Sequence, residues 1–170
     1  MKGLLPPRRR QSFFIAEKCV NYQLTKTTEM DTSFFSHLNW LAVAVAAVAY
    51  FMIGGLWYSK LLFANTWIKS TGIDMSRPDA KKGVGGVMAI TFILEFIICL
   101  ALAVLAWRLA LTGGVMSGIK LGLFTGVCFS AIVICISYLY QGKPKVLTLI
   151  DGGYHIAGNI VAAVILCCWH

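Results

Sequence analysis

From Trp40 onward the chain is built of long apolar runs separated by short polar stretches. No charged residue falls between Asp31 and Lys60, and the run from Trp40 to Tyr58 is long enough to cross a hydrocarbon core of about 30 Å as a helix. Three further runs follow: 84–107, interrupted only by Glu95; 114–140, containing Lys120; and 146–169, containing Asp151 and His155. The runs are continuous rather than alternating, which argues against a transmembrane β-barrel. They carry no polar face, which argues against a soluble bundle. The pattern predicts an all-α polytopic membrane protein, a four-transmembrane-helix antiparallel bundle with spans at 40–58, 84–107, 114–140 and 146–169. The short connections at 108–113 and 141–145 predict that the helices they join are neighbours.

Composition agrees with that reading. Apolar residues make up 58% of the 170 positions and charged residues 13%, about half the charged share of an ordinary soluble domain, ~25%. Residues 1–37 differ from the rest. Lys2, Arg8, Arg9 and Arg10 sit beside Pro6 and Pro7 with no apolar stretch before Glu17, so a basic tail, disordered or interfacial, is expected rather than a cleaved signal peptide. Met30, just ahead of the lead-in to the first helix, is an alternative start; beginning there would remove six Lys and Arg and two Glu and lower the net charge of +8 by four. The positive-inside rule then places the two loops carrying Lys60, Lys69, Arg77, Lys81 and Lys82 and Lys143 and Lys145 in the cytoplasm; with residues 1–29 present the two sides are nearly balanced.

Between the first two spans, Leu61 to Ile68 reads as a short interfacial amphipathic helix, with Trp57, Tyr58 and Trp67 in an aromatic belt. Ser76 and Pro78 read as the cap and first turn of the next helix. On the third span Gly114, Gly118, Gly122 and Gly126 recur every four residues, a spacing that lets a second backbone approach closely. That glycine face packs within the chain, against a second copy in a homodimer, or against another membrane protein; the lipid bilayer is the expected surrounding partner.

Charge in hydrocarbon marks the candidate site. Asp151, His155 and Asn159 are four apart on one helical face. Counting about 1.5 Å per residue puts His155 roughly 14 Å and Glu95 roughly 16 Å from the same side, and Lys120 about 10 Å from the other, able to snorkel outward. Two readings stand open. In one, Glu95 and His155 face a common interior and exchange protons or bind a polar solute, with Asp151 at the mouth and Asn159 orienting a ligand. In the other, Glu95 hydrogen-bonds across helices and His155 satisfies Asp151, holding the bundle together.

No cofactor, metal or catalytic residue is assigned. Cys99, Cys128 and Cys135 read as small apolar residues, Cys167 and Cys168 lack metal-ligand spacing, and no phosphate loop, H-E-x-x-H or nucleophile elbow occurs. No aromatic-interleaved basic groove argues for nucleic acid.

Asn39-Trp40-Leu41-Ala42-Val43, Gly55-Leu56-Trp57-Tyr58-Ser59-Lys60-Leu61-Leu62-Phe63 with Trp67, and Gly153-Tyr154-His155 resemble the DUF1761 family of small bacterial integral membrane proteins, from about Leu38 to the C-terminus. The family pattern has proline where this chain has Lys60 and often glycine at Ala64. The resemblance implies four transmembrane helices, a bacterial inner-membrane setting and no assigned activity. Three functions are carried forward: passage or sensing of a proton or small polar solute around Glu95, His155 and Asn159; an assembly subunit using the glycine face; and a small membrane enzyme.

Overall fold

The structure, a computed structural model, describes Lys18, residues 34–73 and residues 83–169. The chain divides into Met1–Ser36 and His37–His170. Of the first unit only helical Lys18 and the beginning of a single helical turn, Phe34–His37, are described. The rest of the tail, the start at Met30 and the Ser76–Pro78 helix opening lie outside the described residues.

In the second unit four helices are long and apolar enough to cross a membrane: α1 (Trp40–Trp57), α3 (Val84–Arg108), α4 (Gly114–Tyr140) and α5 (Lys145–Cys168). Each end falls within one residue of the span read from hydropathy. A short helix, α2 (Ala64–Thr71), joins α1 to the segment before α3. The protein is an all-α, four-helix antiparallel membrane bundle.

Local chemistry explains the boundaries. The Asn39 side chain accepts from the Ala42 amide at 3.1 Å and caps α1. After α1, the Ser59 hydroxyl donates to the Leu56 carbonyl at 2.7 Å and accepts from the Leu61 amide at 3.2 Å, folding the chain into a tight turn despite Lys60 in place of proline. Gly72 ends α2 in the left-handed conformation, φ +70°.

The last helix is the centre of the bundle. Half of the most apolar window of α5 is buried, against 22–28% for the other three spans. It packs along α4, α1 and α3, whereas α3 rests on α1 and α5 and hardly touches α4. The 109–113 connection therefore does not make packed neighbours of the helices it joins. The physical reason lies on α4. A Cβ on Gly118 would strike the Val164 backbone, one on Gly122 the Ile160 backbone, and one on Gly126 would lie 2.8 Å from Ile156 Cα. Backbones in such contact gain dispersion energy along the whole seam, which is what holds helices together in lipid. Gly114 stays out of the seam: it opens α4 at φ +56° with open space where a Cβ would go.

Between 126 and 131 α4 widens into a π-helix, Gly126–Ala131. This stretch lies against α5; such π segments within α-helices are frequent at functional sites.

Gly122→Ala drives a methyl into the backbone of α5 and is expected to destabilise the fold by about 1–3 kcal/mol, while Gly55→Ala meets nothing within 4 Å and is expected to leave it unchanged. Thermal unfolding of both variants in the same detergent checks this; equal melting temperatures would contradict the seam.

Candidate functional site

The polar residues of α5 are met by aromatic side chains of α1, which are admitted by glycines. A Cβ on Gly158 would fall on the Tyr50 ring, one on Gly153 would lie 3.1 Å from Trp57, and one on Gly54 of α1 would lie 3.0 Å from the Tyr154 hydroxyl. Each helix thus presents glycine to the other's aromatic residue. The exchange sets the rotation of α1 against α5 and so fixes which polar groups meet.

Nearest the loop side, Asp151 is 8% exposed. Its Oδ1 accepts from the Tyr58 hydroxyl at 2.7 Å and from Trp67 Nε1 at 3.1 Å, and its Oδ2 accepts from the Tyr138 hydroxyl at 2.7 Å. Trp57 Nε1 donates to the Ile150 carbonyl at 2.9 Å. The polar tips of Trp57, Tyr58 and Trp67 are thus turned inward onto α5 instead of toward headgroups as a belt. Three donors from α4, the α1 end and α2 hold one carboxylate, and hydrogen bonds to a charged group contribute about 1.5–3 kcal/mol each.

One turn deeper is Glu95, 3% exposed. Tyr154 donates to its Oε1. Its Oε2 is enclosed and has no hydrogen-bond partner among the described residues.

On the adjoining face Tyr50, fully buried, places its hydroxyl 2.9 Å from His155 Nδ1. Asn159 Nδ2 reaches the His155 carbonyl at 2.7 Å, the Tyr50 oxygen at 3.1 Å and Ser130 Oγ at 3.4 Å, while its Oδ1 lies 3.2 Å from the Thr125 hydroxyl. Thr125 carries one hydrogen but has the Leu121 carbonyl at 2.9 Å and the Gly122 carbonyl at 3.3 Å as further acceptors, so the cluster is short of donors.

The structure therefore gathers Glu95, Asp151, His155 and Asn159 along the α5 path but not in one contact. His155 bonds Tyr50 and not Asp151. Glu95 and His155 are related through Tyr154 and Tyr50, whose rings meet edge to face at 5.6 Å, with the Tyr154 and His155 rings 4.7 Å apart. Lys120 is exposed on α4, a helix that hardly touches α3, and takes no part. Tyr50, Thr125, Ser130 and Tyr138 complete the network and were not singled out from sequence. Tyr50 carried a signal, since a phenol deep in an apolar run needs a partner; Thr125 and Ser130 carried none. A cavity of about 280 Å³ lies apart from this network, lined by His37, Asn39, Ala103, Trp107, Leu166 and Trp169 among others.

Residues 41–167 match a family described as "Protein of unknown function (DUF1761)". The chain belongs to the DUF1761 family. No curated protein matches it, and no solved structure does. In this DUF1761 protein the motif residues have visible tasks: Trp57 and Tyr58 grip the start of α5, Tyr154 bonds the membrane acid, and His155 meets Tyr50.

Tyr138→Phe removes one of three donors to Asp151 and is expected to lower stability by about 1.5–3 kcal/mol, whereas Tyr140→Phe, at a residue 91% exposed, is expected to have no effect. Paired unfolding measurements in detergent check the difference, and equal losses would show that the Asp151 cluster contributes nothing.

Proposed function

We propose that this membrane protein passes protons through the site around Glu95, His155 and Asn159, with Asp151 at its loop-side mouth. The observation that carries the reading is Glu95: a carboxyl group eleven residues into α3, roughly 16 Å from the loop end, enclosed by protein and holding one oxygen without a donor among the described residues. Leaving such an atom unpaired costs about 1–3 kcal/mol, more when charged. A chain selected only for stability has an easy remedy in an apolar residue, so an acid kept there points to use.

A proton fits this environment better than a solute. Tyr50, Glu95 and Asn159 are 0%, 3% and 2% exposed, and a proton is the one cargo that moves between carboxyl, phenol and imidazole without open space. The assembly reading loses its surface, because α5 of the same chain fills the glycine face of α4.

In sealed vesicles holding a trapped pH-sensitive dye, the wild type is expected to dissipate an imposed proton gradient faster than protein-free vesicles. Glu95→Gln should return the rate to the protein-free value. An unchanged rate in the variant would remove Glu95 from the path, and a wild-type rate equal to that of empty vesicles would end the reading.

A further inference from the structure

Three helices carry the polar site, with Tyr50 on α1, Glu95 on α3 and Asn159 on α5, and the same three line the cavity of about 280 Å³. Its floor is Ala42, Ala103 and Leu166, which are 0%, 6% and 6% exposed. Its rim is His37, Thr112 and Trp169, all exposed. His37 precedes α1, Thr112 lies in the 109–113 connection and Trp169 follows α5. The rim therefore stands at the membrane face where α1 begins and α3 and α5 end. Asp151, seven residues into α5, lies toward the opposite face.

Floor and site are in line along the bundle. Ala42 is eight residues from Tyr50, Ala103 eight from Glu95 and Leu166 seven from Asn159, so about 10–12 Å of helix separates them. That interval is filled by protein: Ala46, Ala47, Cys99, Leu102, Ala162 and Ala163 are 0–2% exposed.

The rim says what the cavity takes up. Water enters a cavity where polar groups can bond it. Here an imidazole, a hydroxyl and an indole stand around the opening, on segments outside the four spans. The final carbonyls of α5, with no helical turn after them, add acceptors. The volume compares with about 30 Å³ for one water in the liquid. Charge is costly to carry through a dry membrane interior, and water in this cavity shortens the dry crossing. From Glu95 to the end of α3 is thirteen residues, roughly 20 Å, of which the cavity takes all but about 12 Å. We infer that the cavity is the second mouth of the site, a water-filled inlet on the face opposite Asp151, held from Glu95 by one dry layer. The inference rests on the proton reading and adds where protons reach water on the far side.

The probe is a quaternary ammonium methanethiosulfonate, whose fixed charge keeps it in water, applied to both faces of the protein in lipid nanodiscs. Peptide mass mapping then locates the label. Ala103→Cys, on the floor, is expected to react, and Ala101→Cys, exposed on the outward face of the same helix, to stay unlabelled in lipid. Native Cys99, one turn deeper than Ala103 and 0% exposed, should also stay unlabelled. In the dye-loaded vesicles, labelling on both sides should bring Ala103→Cys down to the protein-free rate, while the same treatment leaves the wild-type rate unchanged. Failure of Ala103→Cys to react would overturn the inference, because the cavity then holds lipid and not water. So would a labelled variant that carries protons as fast as before, or reaction at Cys99 in the wild type, which would leave no dry layer. A wild type that carries no protons ends the proton reading and this inference with it. Protons carried by a wild type whose Ala103→Cys variant stays unlabelled leave that reading standing and remove the second mouth alone. Ala106→Cys, also on the cavity wall, repeats the labelling if Ala103→Cys does not fold.

Discussion

Hydrocarbon supplies no hydrogen bonds, and this bundle is arranged around that fact. Its last helix carries an aspartate, a tyrosine, a histidine and an asparagine at bilayer depth, and each has to be answered by protein. Surrounding α5 with the other three spans is the arrangement that does so. The outer helices turn their large apolar side chains, such as Ile90, Ile93 and Ile97 of α3, to lipid, and a hydrophobic drive between helices plays no part.

Close backbone approach makes the central position attainable. The α4 glycines bring one backbone against α5, and on its other side glycine and aromatic residue alternate between α1 and α5, Gly158 under Tyr50 and Gly54 under Tyr154. A tyrosine brought in this way adds contact area and a hydroxyl together. Packing and polar satisfaction are therefore the same interaction seen from two ends, and a change in one disturbs the other.

The polar groups fall into two kinds. Asp151 is fully answered, by three donors, while Asn159 places its amide hydrogens on Tyr50 and its own helix but shares the one Thr125 hydroxyl hydrogen with two carbonyls. Glu95 is not fully answered: its Oε2 is enclosed and has no partner among the described residues. Satisfied groups hold the structure, and Glu95 is the acid they leave short of a donor.

The four spans, their ends to within a residue, and three of the four glycines of the close-packing face of α4, Gly118, Gly122 and Gly126, follow from the sequence, because length, charge and four-residue spacing are local properties of a helix in lipid. Which residues meet does not. Sequence made neighbours of the helices joined at 109–113, left His155 as a partner for Asp151, and gave no sign of Thr125 or Ser130. Those contacts depend on the rotation and crossing of whole helices. Rotation and crossing are decided by many small dispersion contacts between segments far apart in the chain, and only the assembled bundle sums them.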